Sequence, residues 1–316
     1  MTAAVEHWTA QLRQELGKAV VGQREALDQL LLTLLCGGHA LVEGVPGVAK
    51  TLAVKVLARL CRAEFQRVQC TPDLMPADVI GTNVFNPASA QFALHRGPVF
   101  TDLLLVDEIN RTPPRTQSAL LEAMEERQVT IDGTRHALPT LFTVFATQNP
   151  IEFEGTYPLP EAQLDRFLLK IRVGYPDAQQ EAEVLERYHR GFDPHRLEAL
   201  DLVPVEAGAL DRARAETAEV RVDGSLFGYI AAIARRTRDW PALTLGASPR
   251  AAVSLLLAAK ATAAMDGRDY AVPDDVKAVA PPVLRHRLIV KPEAELEGTT
   301  ADDALAGILA VVEVPK

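Results

Sequence analysis

Five short apolar runs, each followed by a helical pattern, restrict this chain to very few folds. They fall at 40–43, 65–69, 103–106, 141–146 and 167–173. The runs alternate little between apolar and polar residues, as parallel strands do when helices cover both faces. Helical patterns lie between them, for example at 51–60 and 116–126. Strand–helix alternation of this kind predicts a three-layer α/β domain around a parallel sheet. From about Phe192 the texture changes. Ala, Leu and Arg at helical spacing take over, and no long strand pattern recurs. The chain therefore divides into an α/β domain at 1–191 and a smaller α-helical domain at 192–316, with Gly191-Phe192-Asp193-Pro194 as the linker.

Two hairpins interrupt the alternation. Residues 128–131 and 134–138 flank Asp132-Gly133, a strong two-residue turn signal. Residues 82–85 and 91–95 flank a looser turn that begins at Asn86-Pro87.

Charge and cysteine content narrow the function. There are 33 Lys and Arg against 42 Asp and Glu, a net charge of −9. That balance argues against a nucleic-acid partner, which needs a basic face. Cys36, Cys61 and Cys70 form no C-x-x-C pair and read as reduced thiols. No leader pattern opens the chain, and the leucine run ending at Leu35 is stopped by Gly37-Gly38, short of a membrane span. The expectation is a cytoplasmic protein without a membrane contact.

The first run leads into Gly44-Val45-Pro46-Gly47-Val48-Ala49-Lys50-Thr51. The usual phosphate-binding pattern is G-x-x-x-x-G-K-[ST], and Ala49 stands where it has its second glycine. Strand, tight loop and helix come in the order that aims backbone N–H groups at phosphate oxygens. Lys50 is placed to reach the outer phosphates, and Thr51 to offer a hydroxyl to Mg²⁺.

The third run ends in Asp107-Glu108. Carboxylates at the C-terminal end of a central parallel strand sit in the ligand crevice. Asp107 suits the Mg²⁺ shell, through water, and Glu108 the attacking water. The fourth run ends in Thr147-Gln148-Asn149-Pro150, where the Asn149 amide can position water or touch a phosphate. Arg166 precedes the last run. Arg250 follows Ser248-Pro249, a helix N-cap with proline at the first position. A cation there opposes the helix dipole and points to a bound anion, with phosphate the natural candidate.

These elements, in this order, resemble the AAA+ ATPases, and their details resemble the MoxR family. GxPGxAKT is that family's usual loop, so Ala49 fits it. The stretches 71–74, 104–133, 147–167, 246–251 and 267–276 match as well, and the likeness runs from Val21-Gly22-Gln23 to about Val290. The resemblance implies a P-loop NTPase domain with a five-stranded parallel sheet and a C-terminal helical lid. It implies ATP and Mg²⁺ as ligands and a self-assembled ring, typically of six copies. Val21, Gly22 and Gln23 match the segment lining the adenine pocket, with Leu52 following the loop. Asp107 and Glu108 match the Walker B pair, Asn149 sensor 1, Arg166 the arginine finger and Arg250 sensor 2. The hairpins match inserts facing the ring's pore or working surface. The activity implied is ATP-driven, chaperone-like remodelling of client proteins, including metal-centre assembly with von Willebrand factor A domain proteins. A magnesium-chelatase-type motor subunit and a nucleotide-gated scaffold without turnover are the alternatives.

Overall fold

The computed structural model describes residues 2–88, 90–150 and 155–315. In chain order the α/β part comprises α1 (Ala3–Ala19), α2 (Arg24–Leu35), β1 (Ala40–Gly44), α3 (Lys50–Leu60), β2 (Phe65–Gln69), α4 (Pro76–Ile80), β3 (Gly81–Asn86), β4 (Gln91–Arg96), β5 (Leu103–Asp107), α5 (Pro114–Glu126), β6 (Gln128–Ile131), β7 (Thr134–Ala137), β8 (Thr143–Gln148), α6 (Glu161–Leu164), β9 (Leu169–Val173) and α7 (Ala178–His189). The helical part comprises α8 (Ala209–Glu219), α9 (Gly224–Arg238), α10 (Pro249–Met265), α11 (Pro273–Leu284), α12 (Pro292–Leu296) and α13 (Ala301–Val311), with a small β10–β11 pair (Leu243–Leu245 and Ile289–Val290).

The expected five strands form one parallel sheet in the order β2-β5-β8-β1-β9. The acid-bearing β5 and the loop-bearing β1 thus flank β8. Two strands start later than their apolar runs. Phe142 N–H bonds Pro139 O and Phe167 N–H bonds Leu164 O, so turns consume the first residues of each run. The expectation of two covered faces fails at β2, an edge strand that exposes Gln66, Arg67 and Gln69. Both hairpins form. Asp132 and Gly133 have φ of 47° and 80°, the paired left-handed residues that a type I′ turn requires.

The leucine run is α2, and Leu30, Leu31, Leu32, Leu34 and Leu35 are all buried. A helix that is apolar almost all round belongs inside, and α2 is covered by β9 on one side and α8 and α10 on the other. Among the described residues no helix is long and apolar enough to cross a membrane. The lid helices dock on this face, and α1 joins them. Glu216 on α8 accepts from the Ala4 and Val5 N–H groups at 2.9 and 3.2 Å, capping α1 from across the chain. In α10 Ala251, Ala258, Ala259, Ala261, Ala263 and Ala264 are buried, and their small side chains let neighbouring helices approach closely. The segment after 290, for which the sequence offers no function, packs as well: Leu305 and Ile308 of α13 are fully buried.

The cysteines are free, and burial pushes the thiols of Cys36 and Cys61 up to about 12 and that of Cys70 up to about 11. Protonated thiols of this kind are poor nucleophiles. His39 is locked neutral: Nδ1 accepts from Val144 N–H at 2.9 Å and Nε2 donates to Met124 O at 3.1 Å. Burial brings its pKa down to about 4, and burial lowers His286 well below the usual value too. Folding therefore favours the neutral imidazoles. For His39 this stabilisation is complete above about pH 6.5 and is lost as pH falls toward 4, at about 1.4 kcal/mol per unit; His286 acts in the same direction. We predict that the melting temperature declines between pH 6.5 and 5, above the range in which carboxylates titrate. A His39→Asn variant should show a shallower decline, and a flat wild-type profile would contradict the assignment.

Candidate functional site

The loop between β1 and α3 uses its small residues for different reasons. A Cβ on Gly44 would stand 2.5 Å from Val173 O, so Gly44 lets β9 pass. Gly47 has φ of +84° and open space around its Cβ position, so only its backbone conformation demands glycine. Ala49, at the α3 N-cap, has φ of 60°. It keeps the left-handed conformation of the pattern's missing glycine at a cost of roughly 1–2 kcal/mol. No side chain caps α3, which leaves its first N–H groups directed at the loop. Lys50 Nζ donates to Gly44 O and to Val45 O, the latter at 3.1 Å, and so folds over the loop.

Asp107 closes β5 and is buried. Its Oδ1 accepts from Thr147 Oγ1 at 2.8 Å. Its Oδ2 accepts from Thr51 Oγ1 at 3.3 Å and from Arg67 Nε at 2.7 Å. Glu108 follows with φ of 59° and ψ of 50°, a strained conformation for a bulky residue, of the sort that gathers at functional sites. Thr147 Oγ1 also accepts from Glu108 N–H at 2.9 Å, so one hydroxyl fixes both acids. The Glu108 carboxylate accepts from Gln69 Nε2 at 3.1 Å and Arg111 Nη1 at 3.2 Å. Asn149 lies buried just past β8, between the acids and the loop. The oxygens of Thr51 and Asp107 are hard donors beside a phosphate loop. Such a set suits Mg²⁺, which takes one or two carboxylates and completes its shell with water and phosphate. Arg67 already sets a positive charge on the same Asp107 oxygen.

Beside the loop opens a cleft of about 340 Å³. Val20, Val21, Val48 and Leu52 form one side, and Leu185 and Tyr188 of α7 the other. Gly22 and Gln23 both have left-handed backbones, with φ of 66° and 56°. A Cβ on Gly22 would come within 2.4 Å of Gln180 Oε1, and Gln23 Nε2 donates to Gly174 O at 2.8 Å. The turn at Gly22-Gln23 thus brings Gln23 to the wall of this cleft, next to Gly47 and Ala49. Val21, Gly22, Gln23, Leu52, the loop from Gly44 through Val45, Pro46, Gly47, Val48 and Ala49 to Lys50 and Thr51, and the Asp107–Glu108–Asn149 group all gather at one edge of the sheet, the one formed by the C-terminal ends of its strands.

Arg166 and Arg250 lie elsewhere. Strands β1 and β9 are parallel and pair Ala40 with Leu169. Arg166 precedes Leu169, whereas the loop comes after Gly44. Four residue steps of about 3.3 Å lie between, so the arginines sit at the opposite edge from their own phosphate loop. There Arg250 Nη1 contacts both oxygens of Glu125, at 2.8 and 2.6 Å, and Arg166 Nε lies 4.0 Å from Glu125 Oε2. The Ser248 side chain caps Ala251 N–H at 3.1 Å as the sequence suggests. At this helix start Arg250 meets the Glu125 carboxylate, away from the phosphate loop of its own chain.

Sequence reasoning missed Arg67, Gln69, Thr147, Glu125 and Arg287. The strand-end rule that picks out Asp107 and Asn149 also points to Gln69 on β2 and Thr147 on β8. Glu125 and Arg287 carry no local signal, because their partners are far away in sequence. Arg287 is buried and bonds Asp165 Oδ1 at 2.7 Å and Phe167 O at 2.7 Å, fastening the lid beside Arg166.

The model of the ATPase family associated with various cellular activities (AAA) matches residues 39–169, and the AAA lid domain model matches 235–308. The protein YeaC of Bacillus subtilis is 45% identical, over 99% of this chain and 94% of its own length. Chaperone MoxR1 of Mycobacterium tuberculosis is 42% identical, over 99% of this chain and 84% of its own. The chain belongs to the MoxR family of AAA+ ATPases. A crystal structure of a protein from Cytophaga hutchinsonii, 41% identical, superposes on this MoxR-family chain with a TM-score of 0.91, covering 100% of it and 97% of that protein.

The two loop glycines should separate by experiment. Gly44→Ala should chiefly lower the melting temperature, because the new methyl meets a β9 carbonyl. Gly47→Ala should chiefly weaken nucleotide binding, because its strain falls on the open loop. The reverse ranking, from thermal melts and nucleotide titration, would refute these roles.

Proposed function

We propose that this chain hydrolyses ATP in a ring of its own copies and uses the cycle to remodel a protein client. The observation that carries the reading is the separation of the site's two halves: loop and acids at one edge of the sheet, arginines at the other. Within one chain they cannot meet around one nucleotide. Between neighbouring chains they can.

In this reading Val21, Gly22 and Gln23 hold the base, and the loop N–H groups with Lys50 hold the phosphates. Thr51 and Asp107 are the residues to hold Mg²⁺, which when bound neutralises charge on the phosphate oxygens. Glu108 accepts a proton from the attacking water, once its carboxylate is released from Gln69 and Arg111. Asn149 orients that water. Arg166 and Arg250 meet the charge that develops on a neighbour's outer phosphate. The tip of the β3–β4 hairpin suits client contact: Phe85 and Phe92 are exposed and pack edge to face, with centroids 5.3 Å apart. The name chaperone, carried by the Mycobacterium tuberculosis relative, supports a protein client. A von Willebrand factor A domain partner and a role in metal-centre maturation rest on the family resemblance.

Glu108→Gln should keep ATP bound and slow turnover about a hundredfold or more, whereas Lys50→Ala should weaken binding itself. Arg166→Ala should bind ATP normally and turn over about ten- to a hundredfold slower. Mixed rings of Arg166→Ala and Glu108→Gln should regain activity, because some interfaces then pair an intact Glu108 with an intact Arg166. No recovery in mixed oligomers of proven composition would overturn the shared site.

A further inference from the structure

Glu125 is the penultimate residue of α5, on the edge of the sheet remote from the phosphate loop, and Arg127, two residues on, donates to Gly37 O just ahead of β1. The carboxylate therefore plays no part in holding this chain's own nucleotide. It gathers one arginine from each part of the molecule. Arg250 comes from the first turn of α10 in the lid, and Arg166 from the turn before β9 in the α/β part. Both approach the same oxygen, Oε2, at 2.6 and 4.0 Å. Two guanidinium groups this close repel each other unless an anion lies between them.

The surroundings hold the two arginine-bearing segments together. Asp165, beside Arg166, accepts from Ser248 Oγ at 2.9 Å and from Arg287 Nε at 2.7 Å. The start of α10 is thus latched to the turn that carries Arg166. Arg250, Arg166 and Glu125 stay partly exposed, with side chains 45%, 33% and 36% accessible. The pair of arginines faces outward with a net positive charge. A purely structural ion pair has no need of two cations on one acid at the surface, where such pairs add little stability.

We propose that Glu125 is a positioning residue, which holds Arg166 and Arg250 side by side and presents them as one unit to the outer phosphate on a neighbouring copy. The assignment rests on the shared-site reading above. Removing Glu125 lets the two arginines move apart, so fewer interfaces present both at once. Binding of ATP by the same chain is untouched, because its phosphate loop lies at the other edge.

The test is a double-mutant cycle on the assembled ring, read as ATP turnover. Glu125→Ala should lower kcat about three- to tenfold, with KM and ATP affinity within about twofold of wild type and an unchanged melting temperature. In an Arg250→Ala background, the same substitution should cost less than about twofold, because the unit is already broken. Glu125→Gln, which keeps an acceptor oxygen, should fall between Ala and wild type. Unchanged or raised kcat in Glu125→Ala, or the same loss with and without Arg250, would overturn the positioning role alone. Wild-type kcat in both Arg166→Ala and Arg250→Ala would instead overturn the shared-site reading, and this proposal with it.

Discussion

The pairing of β1 with β9 governs the rest of this molecule. The two strands run parallel in a register that sets Ala40 against Leu169 and Gly44 against Val173. Because both point the same way, the residues before β9 and the residues after β1 lie at opposite edges of the sheet. The phosphate loop is thereby separated from Arg166 by the full length of a strand. Gly44 preserves the register, since a side chain there would strike the Val173 carbonyl. The latch of Arg287 and Ser248 on Asp165 carries the lid arginine to that far edge as well. A single geometric fact, the direction of one strand pair, thus leaves each chain with the two halves of the proposed catalytic site facing different ways.

At the near edge, polar groups from several strands are tied into one network. Thr147 on β8 bonds Asp107 and the Glu108 backbone, while Arg67 and Gln69 on β2 hold the two carboxylates. The exposure of β2 makes this possible. An edge strand tolerates polar residues at alternate positions, and its register places Gln69 against Asp107. Arg67 balances the charge of a buried carboxylate that would otherwise be costly.

Much of this was legible in the sequence. The five apolar runs, the Asp132-Gly133 turn and the loop at 44–51 declare themselves through local chemistry, and the structure contains each of them. Strand starts were less legible, because Phe142 and Phe167 are buried whether they lie in a strand or in the turn before it. The placement of Arg250 was not legible at all. Its dipole-opposing position calls for an anion, but local sequence does not reveal whether that anion is a ligand or a carboxylate such as Glu125, 125 positions away. Arg287 was missed for the same reason: its meaning lies wholly in long-range contacts.

In the proposed ring, no single chain holds a complete catalytic site. The most direct test measures ATP turnover per subunit across a dilution series, with the oligomeric mass determined at each concentration. Turnover should track the assembled fraction and vanish in the monomer, while the monomer still binds nucleotide. Constant turnover per subunit down to dilutions where only monomer remains would contradict it.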